Sequence, residues 1–202
     1  MDNAVGLVQA YLRLNGYFTV TEYPVITKAR SGDFRTATDL DVLAFRFPAA
    51  GRLVPGKRPG SDEYLTQVDE ALGVAREHAD MLIGEVKEGR AVVNEAASDP
   101  SVLRVVLTSF GCCPPADAPA AVETLLRRGS APLPNGHRIR MAVFASLTKD
   151  ADPRYLTISL GHILGYMRGY IDEHWEVLRH SDTRDPALGF LMTIAKAERG
   201  QK

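Results

Sequence analysis

Four charged residues interrupt two apolar segments that have the composition of β-strands. Asp39 and Asp41 lie in the first segment, and Glu85 and Lys87 lie in the second. Residues two apart in a strand point to the same face of the sheet, so each pair shares a face. A buried charge costs free energy unless it is paired or binds a ligand. If the two strands are neighbours, three carboxylates and one ammonium converge, with Asp41 and Glu85 at the centre.

Such a cluster suits a hard divalent cation. Mg²⁺ takes oxygen ligands, typically one or two carboxylates, and carbonyls, waters and phosphate oxygens complete the shell. Asp41 and Glu85 would supply the carboxylates, and the backbone carbonyl of Val86 is a candidate third ligand. Lys87 would then lie beside the metal, where its charge can stabilise a pentavalent phosphate or hold the attacking water. The pattern therefore predicts a Mg²⁺ or Mn²⁺ site for phosphate chemistry.

The same residues also have a purely structural interpretation. Lys87 can neutralise Glu85 or Asp41 as an ion pair at the end of a strand. We prefer the metal site for these three residues, and a surface position at the edge of the sheet for Asp39. Both interpretations remain open at the level of sequence.

Three segments, VQAYLRLNGYFTV, TDLDVLAF and MLIGEVKEG, follow one another along the chain, and the last two contain these charges. In order and in charge pattern the sequence resembles the PD-(D/E)XK nucleases, which have the restriction-endonuclease-like fold, and within them the Holliday-junction-resolvase and RecB-like branches. The core of that superfamily is a helix, three strands, a helix and a strand, and residues 4–146 can be matched to it with one insertion at about 48–79. The resemblance implies metal-dependent hydrolysis of phosphodiester bonds in DNA or RNA.

The sequence departs from the pattern of the superfamily at two positions. Leu40 precedes Asp41, where many members have Pro. The first helix of these nucleases often supplies a Glu to the metal site, and the candidate here is Gln9, whose neutral amide is a weaker ligand. We count Gln9 with Asp41, Glu85 and Lys87 as the predicted catalytic residues. The departures leave a second function open, a nuclease-fold protein without turnover that binds nucleic acid or acts as a scaffold.

The elements around these residues predict an α/β fold in which helices flank a central mixed sheet. We expect a single domain over residues 1–202, with a nuclease-like core at about 4–146 and a helical extension at about 161–200. Apolar spacing and capping residues predict helices over 4–14, 61–79, 100–110, 118–128 and 161–179, with a last helix opening at Asp185-Pro186. Strand composition predicts strands over 17–26, 38–47, 80–89, 137–146 and 155–159.

Composition excludes two classes of protein. Hydrophobic residues make up 45% and charged residues 24% of the 202 residues, so the chain is not disordered. The net charge of −1 argues against a strongly basic nucleic-acid coat protein. A loop holding Arg52, Lys57 and Arg58 is a candidate contact for a phosphate backbone, and a solvated surface loop is an equally good interpretation.

The expected partner is nucleic acid, with DNA preferred. The chain begins without a basic start and apolar run and has no apolar stretch of the ~20 residues that cross a bilayer, so we expect a cytoplasmic protein without membrane contact. Two sites related by a two-fold axis suit the cleavage of both strands of a duplex, and we expect a homodimer. An apolar stripe in the helical extension should pack on the sheet or on a second copy: Ile163, Leu164, Met167, Ile171, Trp175 and Leu178.

Overall fold

Helices cover both faces of a mixed β-sheet. The computed structural model of the protein describes residues 2–29, 31–65, 68–75, 77–134, 136–181 and 183–200. The helices are α1 (Asn3–Leu14), α2 (Pro100–Ser109), α3 (Ala118–Arg128), α4 (Leu160–Glu173), α5 (Trp175–Leu178) and α6 (Pro186–Glu198), and short 3₁₀ helices cover Glu70–Leu72 and Ala96–Ser98. The strands are β1 (Phe18–Lys28), β2 (Phe34–Arg46), β3 (Arg52–Val54), β4 (Glu63–Leu65), β5 (Asp80–Arg90), β6 (Ser130–Pro132), β7 (Arg138–Leu147) and β8 (Leu156–Ser159). The predicted α/β class is confirmed.

The main sheet has six strands in the order β1-β2-β5-β7, and both β6 and β8 pair with β7. β1, β2 and β5 are antiparallel neighbours, whereas β5 and β7 run parallel. β6 pairs antiparallel with the first half of β7, and β8 pairs parallel with its second half. β3 and β4 form a separate two-stranded sheet within the connection from β2 to β5.

Each face of the sheet has its own apolar core. The first core joins α1, α4 and α6 to one face, and Tyr11 and Phe144 are among its fully buried side chains. The second core joins α2 and α3 to the other face, where Leu103 and Ile139 are fully buried. The strands between the two cores are thus held from both sides.

The predicted helix over 61–79 is wrong. Residues 63–65 pair with β3 as a strand, and a single 3₁₀ turn follows at Glu70–Leu72. The side chain of Asp69 caps this turn by accepting the amide of Ala71, and Gly73 ends it with a positive φ of 54°. The apolar period that indicated a helix reflects a few anchoring contacts, since Leu72 is fully buried in the first core. Residues 66, 67 and 76 lie outside the described part of the chain.

The helical extension packs against the first core. α4 contacts α1, β7 and β8, and α6 contacts α1 and α4. The stripe side chains Ile163, Met167 and Ile171 are buried there, while Leu164 is 38% exposed. Most of the stripe is therefore covered within one chain. No helix among the described residues is long and apolar enough to span a bilayer.

Candidate functional site

The candidate site lies where β2 and β5 separate. Their antiparallel ladder ends at the pair Val42 and Gly84, so the next two residues in register are Asp41 and Glu85. Side chains directly opposite each other in an antiparallel pair lie on one face of the sheet. Beyond this step, β2 continues beside β1 and β5 continues beside β7. The two strands thus bring the predicted carboxylates together at a fork.

The carboxylate of Asp41 bonds to the neighbouring strand. Its Oδ2 accepts the backbone amide of Val86 at 2.8 Å, in place of a main-chain ladder bond. The amide and carbonyl of one strand residue point to the same edge, so the carbonyl of Val86 faces β2 as well. The edge of the fork therefore presents a carboxylate and a backbone carbonyl, and their role as metal ligands stays a prediction.

Glu85 is buried beside one positive charge among the described residues. The residue is 6% exposed, and its Oε1 accepts a hydrogen bond from the ammonium of Lys87, whose side chain is 36% exposed. Burial raises the pKa of Glu85, the bond and charge of Lys87 lower it, and the charge of Asp41 raises it further; the net pKa is raised. The Lys87 ammonium thus compensates the two carboxylates only in part.

A backbone irregularity turns the ribbon of β1 and β2 at the same place. Glu22 falls opposite Asp41 in the β1–β2 register and has a φ of 52°, which L-residues with a Cβ adopt only at a cost of ~1–2 kcal/mol. Leu40 packs in the second core and Val42 in the first, although residues two apart normally share a face. Strained residues of this kind cluster at functional sites. The turn directs β2 away from β5 just beyond the carboxylate.

Gln9 lies close to the strand pair but makes no bond to the carboxylates. It is 7% exposed in α1, and its Nε2 donates to Thr21 Oγ1 at 3.5 Å. Thr21 pairs with Val42, the neighbour of Asp41. Among the described residues, the amide of Gln9 forms no hydrogen bond to Asp41 or Glu85. The structure therefore bonds Lys87 to Glu85 and Asp41 to the backbone amide of Val86, whereas Gln9 bonds to Thr21.

The donor set fits Mg²⁺ better than a transition metal. Within the described part of the chain, no three or more His, Cys, Asp or Glu side chains are grouped so that they could hold an ion. Structural Zn²⁺ requires four such ligands, whereas Mg²⁺ often uses one or two carboxylates and keeps several waters. Two carboxylates, with the carbonyl of Val86 on the same edge, satisfy the second requirement.

The remaining candidates lie away from the fork. Asp39 is exposed and pairs with Pro24, which agrees with a surface position. Lys57 and Arg58 are exposed in the turn between β3 and β4. The side chain of Arg52 lies outside the described residues, so its predicted contact stays a prediction.

A buried polar network centred on Asp69 was missed at the level of sequence. Asp69 Oδ2 accepts the hydroxyl of Tyr11 at 2.8 Å and lies 2.7 Å from Nε2 of His162. Its backbone amide donates to Asn15 at 2.7 Å. Burial and the bond to Asp69 raise the pKa of Tyr11, so its hydroxyl stays a donor. No spacing rule could have found this network, because its members come from three distant segments.

Comparison with known proteins adds no relative to this geometry. No model of a protein family, no curated protein and no solved structure matches the chain. The resemblance to the PD-(D/E)XK nucleases thus depends on the motif and on the arrangement of Asp41, Glu85 and Lys87. The restriction-endonuclease-like fold stays a prediction.

Proposed function

We propose that the protein is a metal-dependent nuclease that hydrolyses phosphodiester bonds in DNA. The observation that carries the proposal is the position of Asp41 and Glu85, opposite each other where the β2–β5 ladder ends, with Lys87 bonded to Glu85. Two incompletely compensated carboxylates at a fork are unfavourable on their own and become favourable around a divalent cation.

Each residue of the fork has a distinct role in this proposal. Asp41 and Glu85 bind the ion through carboxylate oxygens, and the carbonyl of Val86 completes the protein's share of the ligands. When bound, Mg²⁺ supplies a Lewis acid for the phosphate and makes a bound water more acidic. Lys87 holds positive charge where negative charge develops on the phosphate oxygens. The hydrogen bond from the backbone amide of Val86 fixes the orientation of Asp41, so the site is ordered before substrate arrives.

The order of the elements supports a restriction-endonuclease-like core in the same proposal. The order α1, β1, β2, β5, α2 and β7 matches the helix, three strands, helix and strand of that superfamily, with α3 and β6 as additional elements between α2 and β7. The β3–β4 hairpin and the 3₁₀ turn then form the insertion between the second and third core strands. The predicted homodimer remains part of the proposal as the arrangement suited to cutting both strands.

Two observations favour an alternative, a nuclease-fold protein that binds nucleic acid without turnover. Lys87 already neutralises one carboxylate. Gln9 presents an amide where an active relative would often present a carboxylate, and that amide bonds to Thr21. A binding or scaffold subunit would bind nucleic acid as well as the enzyme does but would not respond to metal.

The deciding experiment is a cleavage assay with a matched pair of variants. The parent protein is incubated with single-stranded, duplex and branched DNA, and with RNA, in Mg²⁺, Mn²⁺ or EDTA. Asp41→Asn removes one charge at the fork but keeps an acceptor for Val86, and Asp39→Asn removes the same charge from an exposed position on the same strand. We expect cleavage by the parent and by Asp39→Asn in Mg²⁺ or Mn²⁺, and none by Asp41→Asn. Binding without cleavage under every metal would establish the alternative.

A further inference from the structure

The end of the β1–β2 ribbon extends beyond the rest of the sheet. β1 and β2 remain paired as far as Lys28 and Phe34, but β2 pairs with β5 only as far as Val42. Eight residues separate Phe34 from Val42, which corresponds to ~27 Å of extended strand. The end of this stretch nearer to β5 is anchored, since Val25 and Leu40 are buried in the second core. The outer part, residues 26–29 and 31–36, is here termed the ribbon tip.

The ribbon tip is exposed and basic. Ile26 is 57% and Phe34 75% exposed. Lys28 and Arg35 are also exposed, and neither has an ion-pair partner among the described residues. In sequence, residues 26–36 contain three basic residues and one acidic residue, a net charge of +2, although the whole chain carries −1. The ribbon tip is therefore locally positive on a chain whose net charge is slightly negative.

We propose that the ribbon tip inserts into the major groove of duplex DNA beside the candidate site. This inference rests on the proposed nuclease function and names the form of its substrate. The major groove is about 12 Å wide and admits a two-stranded β-ribbon. Lys28 and Arg35 neutralise phosphates at the walls of the groove, and Phe34 contacts base edges such as thymine methyl groups.

The spacing along β2 agrees with this arrangement. Thr36 lies five residues before Asp41, which is ~17 Å along the strand. One turn of duplex DNA is about 34 Å long, so this distance is roughly half a turn. A phosphate at the fork and a groove at the ribbon tip can therefore belong to one duplex, and the ribbon positions the backbone for attack.

The shape of the tip favours duplex DNA over other nucleic acids. The major groove of A-form RNA is deep and too narrow for side chains to read. Binding of single strands depends on several aromatic platforms within a basic groove, whereas the tip has one exposed aromatic side chain on a narrow ribbon. Single-stranded DNA and RNA therefore serve as comparison ligands in the test.

The test is a binding titration in EDTA, so that cleavage does not interfere. Fluorescence anisotropy follows a labelled duplex and one of its single strands over a range of salt concentrations. The ribbon variant is Lys28→Ala with Arg35→Ala, and the control variant, Arg127→Ala with Arg128→Ala, removes the same charge from the exposed end of α3. We expect the ribbon variant to bind duplex about tenfold more weakly or worse, with a salt slope smaller by about 1.8, and the control to match the parent.

The outcomes separate this inference from the proposed function. A ribbon variant that binds duplex like the parent, while the parent cleaves DNA, overturns the ribbon inference and leaves the nuclease. An equal loss of affinity for duplex and single strand overturns insertion into the groove. A parent that binds duplex through the ribbon tip but cleaves nothing supports the ribbon inference and removes the nuclease, and a parent that neither binds nor cleaves nucleic acid removes both.

Discussion

Asp80 and Glu85 are both buried carboxylates on β5, five residues apart, and their surroundings differ sharply. Asp80 is 1% exposed and accepts two bonds from Arg140, at 2.9 and 2.6 Å, one from Arg138 at 3.1 Å and one from the hydroxyl of Tyr17 at 2.7 Å. Each oxygen of Asp80 is satisfied by groups fixed in the fold. Such full compensation is what a buried charge requires when its role is structural.

Within the described part of the chain, Glu85 has one ion-pair partner, the ammonium of Lys87, and a second carboxylate, that of Asp41, lies opposite it. Lys87 is a flexible side chain that is partly in solvent, and the charge of Asp41 opposes ionisation of Glu85. β5 therefore carries two kinds of buried carboxylate within five residues. Asp80 is fully paired, and Glu85 is left short of positive charge. Under the proposed function, this deficit of positive charge at Glu85 is where a divalent cation would bind.

The largest expected effect is on stability at Asp80. Arg140→Met removes the bidentate partner of a buried carboxylate and should lower the free energy of unfolding by about 3–5 kcal/mol. Urea denaturation measures the change. The control is Arg127→Met, which removes one member of the exposed pair with Glu123 and should cost about 0.5 kcal/mol or less. Equal losses in the two variants would contradict a structural role specific to Asp80.

The second effect is on phosphodiester cleavage and is expected when Lys87, the ion-pair partner of Glu85, is replaced. Lys87→Ala should reduce the rate of phosphodiester cleavage by about 10²–10³-fold, because it removes the positive charge proposed to stabilise the transition state. The melting temperature should change little, and Mn²⁺ binding should be partly retained. Lys149→Ala, at another exposed lysine, should cleave like the parent. A lower melting temperature for Lys87→Ala, with an inactive parent, would instead make Lys87 a structural counter-ion.

The third effect is on the pH dependence of stability. The pKa of Glu85 is raised in the folded protein, so protonation favours folding; this contribution is complete below the pKa of the unfolded chain and is lost as pH rises through the folded-state pKa. Glu85→Gln cannot lose a proton, and in EDTA its stability relative to the parent should therefore increase as pH rises from below the unfolded-chain pKa through the folded-state pKa of Glu85. Denaturation curves at several pH values measure this difference. Added Mn²⁺ should stabilise the parent and leave the stability of Glu85→Gln unchanged. A difference in stability between the two proteins that does not depend on pH would argue against a buried charge at Glu85.

The smallest effect is expected at Gln9. Its bond to Thr21 is long, and its amide has no bond to the carboxylates. Gln9→Ala should lower the rate of cleavage by less than about tenfold. Such a small effect is expected of a residue that positions other groups and takes no direct part in the reaction. Gln9→Glu replaces the amide with a carboxylate, and under the proposed function titration with Mn²⁺ should show tighter binding. Weaker binding would mean that this face of α1 points away from the site.

The fork could be predicted because its signal is local. Strand alternation shows from four residues that Asp41 and Glu85 interrupt apolar strands, and short-range composition predicts both strands. The predicted strands over 17–26 and 38–47 leave out residues 27–37, because this polar segment forms strand through pairing with its neighbour and not through burial. The helix over 61–79 failed for the reverse reason: its apolar spacing matched a helix, but the strand pairing and the Asp69 cap decided the structure.

The networks around Asp69 and Asp80 could not have been predicted in this way. The ion-pair partners of Asp80 lie 58 and 60 residues further along the chain, and His162 lies 93 residues from Asp69. No periodic pattern links residues so far apart. Only the topology of the parallel pair β5 and β7 makes Arg138 and Arg140 neighbours of Asp80.

The Asp69 network also ties distant parts of the chain to one another. Asp69 joins the middle of the chain to Tyr11 in the first helix and to His162 in α4, so its bonds close loops of 58 and 93 residues. Long loops lose chain entropy before any contact compensates for it, and contacts between distant residues form slowly. We therefore expect the connection from β2 to β5 to dock late, after helices from both ends of the chain have reached the sheet.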